Sequence, residues 1–412
     1  MRVRTLLLAV AFVPAPGRAI AAQQPGLPPI HPVGPIVARL GVPVQSISRI
    51  RVLSTGAVLI DDPLGKQVLL VDSTLGRATP VIDTLGATAR TYPRRAGALL
   101  PFVGDSSLYL DPIALAFLVI APDGAIARIM SAPPSMVGNR DGPLTYGSGG
   151  RLLWGLWITH PDSGSHGPGL PAALVPDTGL IFRADFVTHQ IDTVALFNVP
   201  RQYAAVSAPD STGQVWRTQT VNPMPVSDDW GVLADGTIAI ARAQDFHIDW
   251  VLADGSRQAS PKLPHLWVRL SDSAKAALVD SARVFYSDPL NQYHQSSSHG
   301  FGPPRTRTYT PNFPDPADLP DYLPPFAEVQ GGDAEGNLWV REFNADAIGV
   351  LWGREAPGTA GGAVFDVIDR SGRMIDRVRI PGGATLQGWG PGVVYLSSRD
   401  GNTTSLVRVR LH

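Results

Sequence analysis

The stretch "ISRIRVLSTGAVLIDDPLGKQVLLVDSTLGRATPVI", Ile47 to Ile82, decides the fold. Runs rich in β-branched and aliphatic residues alternate in it with Ser54-Thr55-Gly56, Pro63-Leu64-Gly65 and Thr74-Leu75-Gly76. Each gap is short and contains a glycine, and tight hairpins need positive φ somewhere, so the stretch reads as a four-stranded antiparallel meander.

The same cadence returns along the chain. "SLYL", "IALAFLVI" and "AIARIM" surround Pro122-Asp123-Gly124, and "RLLWGLW", "GLIFRADF" and "IDTVALF" follow. "DWGVL", "TIAIAR", "FHIDWVL" and "SRQASPKL" surround Asp235-Gly236 and Asp254-Gly255. "NLWVREF", "GGAVFDVID" and "RMIDRVRI" surround Gly336 and Ser371-Gly372, and "VVYLSS" and "SLVRVRL" surround Asp400-Gly401. These make about six units of roughly 55 residues each, slightly above the WD40-type period. Meanders of that size bury both faces by packing radially, so the expected fold is all-β: a six-bladed β-propeller of four-stranded antiparallel blades. A pair of stacked sandwiches is the competing arrangement. The last unit is short of a strand while "PIVARLG", Pro35 to Gly41, is spare, so that segment is expected to pair with "SLVRVRL" and close the ring.

One region breaks the cadence. In "LSDSAKAALVDSARVFY" Ser271 stands as an N-cap, Asp272 complements the helix dipole, and Leu270, Ala274, Leu278 and Phe285 fall near helical spacing. The following segment to Phe326 is rich in proline and shows little periodicity. Residues 265–325 are therefore expected to form a helical and Pro-rich insertion between blades four and five, lying over one face.

Composition narrows the class. The 412 residues carry a formal net charge of −1, which gives no electrostatic reason to expect nucleic acid or an anionic membrane surface as partner. The absence of cysteine removes disulfides, thiolate metal sites and thiol catalysis together. With 17% charged residues, 42 glycines and 39 prolines, the balance suits short strands and tight turns rather than long solvated helices. The opening "MRVRTLLLAVAFVPAPGRAIAAQ" has a basic start at Arg2 and Arg4, an apolar centre from Leu6 to Val13, and small residues at Ala19 and Ala21. That pattern fits a secretory signal over residues 1–21, its apolar run being far shorter than the roughly 20 residues a bilayer span needs. Residues 22–34, "AQQPGLPPIHPVG", read as a Pro-rich tether that does not pack, and residues 35–412 as the propeller. No later segment is apolar enough to span a membrane.

The candidate chemistry is sparse. Alternate residues of a strand share a face, so His247 and Asp249 of "FHIDW" point together while Phe246, Ile248 and Trp250 point the other way. With Arg242 and Asp245 they are the candidate catalytic residues, a base with its orienter. The competing reading makes the four a polar network that ties blades together. "THPDSGSHGPG" places His160, Asp162 and His166 at a spacing that could seat a metal, without a third imidazole at a fixed offset. His294 and His299 fall in the insertion. The carboxylates of turns such as "ADGT" and "AEGN" are expected to bond their own turn backbone. Nucleophile elbow, zinc-protease, Walker and calcium-loop motifs are absent, as is the sialidase-type Asp box, and no cofactor motif is present.

The runs "DDWGVLADGTIAIARAQDFHIDWVLADGSRQASPKLPHLWVRLSDSAKAALVDSA", "DLPDYLPPFAEVQGGDAEGNLWVREF" and "VFDVIDRSGRMIDRVRIP" resemble a family of exported six-bladed β-propellers. That family is related to NHL-repeat and TolB-like propellers and is abundant in Gemmatimonadota-type bacteria. The resemblance covers Asp228 to the end, and residues 47–130 follow it in outline. Where such relatives carry a Gly-rich connection after the first blade, this chain has "GATARTYPRRAGALLPF". The resemblance implies fold, blade number and export to the periplasm or beyond. It supplies no catalytic residues, since the family has no established activity.

Two functions stay open. The first is a monomeric binding or interaction module for a protein, peptide or glycan partner. The alternative is a lactonase- or lyase-type enzyme with a divalent metal on the propeller axis. A ring of inward carboxylates and imidazoles from several blades would favour the enzyme.

Overall fold

The structure, a computed structural model, describes residues 26–411 apart from 85–90, 94–96, 112–113, 132–145, 149, 158–177, 187, 200–203, 207–216, 298–304 and 344–361. It is a six-bladed β-propeller. Blade 1 comprises Arg49–Val52, Val58–Asp62, Gln67–Val71 and Ala78–Ile82, in the order expected from the meander. Blade 2 comprises Ala98–Pro101, Ser107–Asp111, Ala116–Ile120 and Ile126–Ser131. Blade 3 comprises Tyr146–Ser148, Arg151–Trp157, Thr178–Asp185 and Ile191–Asn198. Blade 4 comprises Asp229–Val232, Ile238–Arg242, His247–Val251 and Arg257–Ala259. Blade 5 comprises Phe326–Gly332, Leu338–Glu342, Ala363–Ile368 and Met374–Ile380. Blade 6 has three strands from the end of the chain, Ala384–Gly390, Val393–Asp400 and Thr403–Arg410. Its fourth and outermost strand is Ile36–Arg39, paired antiparallel to Thr403–Arg410 with Ile36 opposite Val409 and Arg39 opposite Val407. The first strand of each blade is innermost, and these inner strands neighbour one another around the ring, with blade 6 meeting blade 1.

The core follows from this geometry. Each blade-to-blade interface holds its own hydrophobic cluster. Val58 and Ile60 of blade 1 meet Tyr395 and Leu406 of blade 6, while Leu59 and Val68 meet Tyr109 and Leu118 of blade 2. Phe117 and Val119 meet Leu152 and Trp154 across blades 2 and 3, and Ile181 and Phe197 meet Trp230 and Ile240 across blades 3 and 4. Phe246, Ile248 and Trp250 of blade 4 bury together against Phe326, Leu338 and Met374 of blade 5. Trp339 and Phe365 meet Leu386 and Val394 across blades 5 and 6. Every large side chain so buried contributes about 1.5–3 kcal/mol, which is how a chain without a disulfide holds a closed ring.

Three expectations need correction. The Pro-rich lead packs: Ile30–Pro32 is a fifth strand of blade 5, parallel to Met374–Ile380, and Leu27 lies against the core between blades 4 and 5. The proline-rich lead can do so because an outer edge asks for hydrogen bonds on one side only. The second half of the insertion, read as aperiodic, contains a hairpin of Tyr293–Ser297 with Arg305–Tyr309. Its alternation is polar on both faces, so it carries no hydrophobic period. Helix α1 (Asp272–Ser287) is capped by Ser271 as expected, but it buries Lys275, Val279, Ala282 and Tyr286. That face is one residue, about 100° of helix, from the Leu270/Ala274/Leu278/Phe285 stripe. The Lys275 ammonium reaches Asp321, and the Tyr286 ring lies tilted against Phe313.

Candidate functional site

Strand direction divides the ring into two unlike ends. The turns joining the first to the second strand of each blade, and the third to the fourth, are short, and they share one end. There Asp235 of "ADGT" accepts from the Thr237 N–H as expected, and Asp333 accepts from the Glu335 and Asn337 N–H groups, whereas Glu335 of "AEGN" accepts from the next blade and not from its own turn. They also staple blades: Arg370 donates to Asp235, the Gly392 N–H to Glu335, and the Ser54 N–H to Asp105. The long connections, 132–145, 158–177, 199–228, 260–325 and 343–362, all leave the opposite end.

At that opposite end a cleft of about 430 Å³ opens between blade 4 and the insertion. Asn198, Val226, Ser227, Asp228 and Gln244 line one side; Trp267 and Pro320 to Pro324 line the other. The insertion side is held by backbone pairing, Leu270 N to Asp321 O at 2.8 Å and Leu323 N to Val268 O at 3.0 Å. This ladder sets the Trp267 and Tyr322 rings edge to face, with centroids 6.2 Å apart. Helix α1 fixes the ladder from behind, because the buried Lys275 Nζ donates to Asp321 Oδ1 at 2.6 Å. Both aromatic rings nevertheless remain open to solvent, at 38% for Trp267 and 45% for Tyr322.

Beneath the blade side of the cleft runs the polar network that the sequence suggested. Arg242 Nη1 donates to Asp228 Oδ2 at 2.7 Å and Nε to Asp249 Oδ2 at 2.8 Å. His247 Nε2 lies 3.3 Å from Asp249 Oδ1, and Nδ1 lies 2.6 Å from Asp245 Oδ1, which Lys262 also reaches. Asp228 accepts in addition from the N–H groups of Asn198 and Ala243, tying the outer strand of blade 3 to the turn of blade 4. Although burial opposes charge on Arg242, its two carboxylate partners outweigh it and raise its pKa. Burial likewise opposes charge on Asp245, but His247 and Lys262 hold its carboxyl below the usual range. The structure thus brings Arg242, Asp245, His247 and Asp249 into one chain of contacts, with Phe246, Ile248 and Trp250 on the other face in the core.

His160, Asp162, His166 and His299 lie outside the described residues. His294 sits on the insertion hairpin, opposite Thr308. Among the described residues no three His, Asp or Glu side chains converge as metal ligands.

A second cluster, on blade 5, escaped the sequence reading. Arg377 bridges Glu342 and Asp366, the latter 1% exposed. Burial, reinforced by Glu342, pushes the Asp366 carboxyl up to about 7. Nearby, His265 is held down to about 4 by burial and by Arg377. Asp229, on the inner strand of blade 4, accepts from the Val329 N–H of blade 5 at 2.6 Å, and burial raises its carboxyl to about 6. The only sequence signal for either group was a carboxylate inside a strand otherwise made for burial, as in "VFDVI". Because Asp366 is shut away from solvent, its chemistry is that of a brace between strands.

No family model matches the chain, and no curated protein matches it. Solved structures share its outline. A member of the duf4221 family from Bacteroides vulgatus is 10% identical, with a TM-score of 0.44 over 94% of this chain and 98% of that one. A calcium-binding protein, regucalcin, from Agrobacterium tumefaciens is 11% identical, with a TM-score of 0.34 over 93% and 98%. A gluconolactonase from Xanthomonas campestris is 12% identical, with a TM-score of 0.35 over 93% and 97%. Likeness of this degree gives no role to any residue here.

Proposed function

We propose that the chain is a binding module that takes its partner, a protein, peptide or glycan, in the cleft between blade 4 and the insertion, and that it works outside the cytoplasm. One observation carries the binding reading: Trp267 and Tyr322 are held by a backbone ladder and a buried lysine, yet left facing solvent. Exposed aromatic surface costs free energy in water and is recovered when a partner covers it, which is why aromatic anchors dominate recognition sites. The placement supports the same reading, since the cleft lies at the end of the ring from which the long connections leave. Export is supported by the basic and apolar opening of the sequence, Arg2 to Ala21. Among the described residues no helix is long and apolar enough to cross a membrane.

The test is a calorimetric panel of a basic peptide, a Pro-rich peptide and neutral oligosaccharides against wild type and the Trp267→Ala/Tyr322→Ala double variant. A probe bound by wild type and lost by the double variant is the expected result. Binding that survives both substitutions, or a panel with no binder, would overturn the cleft as the site.

A further inference from the structure

We infer that the ligand class of this cleft is a neutral oligosaccharide, an inference that rests on the cleft being the binding site. The argument is one of accounting for charge and hydrogen-bonding capacity. Both carboxylates in the cleft wall are already matched, Asp228 by Arg242 at 2.7 Å and by two backbone N–H groups, and Asp321 by Lys275 at 2.6 Å. A cationic partner therefore finds no free negative charge, and an anionic partner no free positive one.

What remains open is amide and hydroxyl. Among the described residues the side chains of Asn198, Ser227 and Gln244, all on the cleft wall, have no hydrogen-bond partner. Each amide presents a donor and an acceptor, and the serine hydroxyl does both. A ligand that satisfies all of them must itself both donate and accept at closely spaced points. Sugar hydroxyls do so. A Pro-rich peptide backbone, the rival for an aromatic groove, offers carbonyl acceptors but almost no donors, and would leave the amide oxygens of Asn198 and Gln244 without a donor from the ligand.

Across the cleft, the edge-to-face Trp267 and Tyr322 rings present apolar surface on which the C–H face of a pyranose can lie, while the hydroxyls at its rim reach the opposite wall. The volume of about 430 Å³ falls within the range of about 300–1,000 Å³ usual for small-ligand sites.

The experiment titrates a panel of neutral oligosaccharides, one uronic-acid oligosaccharide, one arginine-rich peptide and one Pro-rich peptide by calorimetry at low and high salt. Expected is binding of at least one neutral oligosaccharide with an affinity unmoved by salt, since no net charge is matched. Trp267→Ala should weaken it about tenfold, and Trp267→Phe less. Gln244→Ala, a change on the other wall that leaves the aromatic ladder intact, should weaken it a few-fold. Near-ultraviolet dichroism and melting check that each variant is folded. A salt-sensitive ligand, or a peptide that binds wild type and is lost in Trp267→Ala, overturns the sugar assignment and leaves the cleft as a binding site. A neutral sugar bound equally by wild type, Trp267→Ala and Gln244→Ala overturns both. A panel in which only peptides bind, or nothing does, also overturns the assignment.

Discussion

Blades 4 and 5 each place one arginine between two carboxylates, and the two arrangements differ in what else reaches the buried acid. On blade 4, Asp228 receives Arg242 together with the N–H groups of Asn198 and Ala243. On blade 5, Asp366 receives Arg377 alone among the described residues, at 3.2 Å, while Glu342 competes for the same guanidinium. The consequence is visible in Asp366, whose carboxyl holds its proton to about 7 because burial is not offset by enough donors. What Asp228 has and Asp366 lacks is a pair of backbone N–H donors beside its arginine. The blade 4 group is therefore a charged clamp across two blades, and the blade 5 group a brace that can go neutral.

This contrast can be broken by experiment. The largest effect is expected from Arg242→Met, which leaves the 3%-exposed Asp228 side chain its two backbone N–H donors but no counter-ion and should cost about 3–5 kcal/mol in denaturant unfolding. Arg377→Met should cost clearly less, because Asp366 can take up a proton; equal costs would dissolve the distinction. Next comes the pH dependence. The unfolded chain releases the Asp366 proton in the ordinary carboxylate range, whereas the folded chain holds it to about 7. This group therefore makes stability fall as pH rises across that interval and adds no further change above it. The fall, on the order of 4 kcal/mol, should vanish in Asp366→Asn, as read from melts at stepped pH. A parallel pH profile in wild type and variant would show that Asp366 is ionised throughout. His247→Ala should cost about 1 kcal/mol by removing a part-buried partner of Asp245 and Asp249, with the affinity of any cleft ligand unchanged. Loss of an activity with no loss of melting temperature would instead make His247 a catalytic residue. The smallest effect, within about 0.5 kcal/mol, is expected for Lys262→Ala, whose ion pair with Asp245 is 73% exposed on the lysine side.

How much of this was legible depended on where a strand lies in its blade. The blade 4 meander could be read because its turns carry Gly236 and Gly255, and the closing strand Ile36–Arg39 because it stood spare while the last unit was short of a strand. The inner strands Ala98–Pro101, Tyr146–Ser148, Phe326–Gly332 and Ala384–Gly390 could not. Near the axis neighbouring backbones crowd together, and small residues replace the β-branched ones on which a strand signal rests. A Cβ added at Gly231 would sit 2.8 Å from Val329 Cγ1 on the inner strand of blade 5. Two of these inner strands are also bulged, between Val329 and Gly331 and between Leu386 and Gly388, which breaks their alternation. At the site, Arg242, Asp245, His247 and Asp249 were legible because one hairpin carries them all. Asp228, Trp267 and Tyr322 were not, because blade 4 and the two ends of a long insertion meet only in three dimensions. The Asp366 pair was hidden for the same reason, since Glu342 and Arg377 arrive from separate strands.

The pairing of Ile36–Arg39 with Thr403–Arg410 also has a consequence in time. Ile36–Arg39 is made long before Thr403–Arg410, so the ring stays open until the later strand is available. Bringing such distant segments together is entropically slow, and little rewards it before both exist. The same arrangement acts as a completeness check. A copy truncated before Thr403 would leave bare strand edges on Ile36–Arg39 and on Val393–Asp400, the kind of surface that chaperones and proteases recognise.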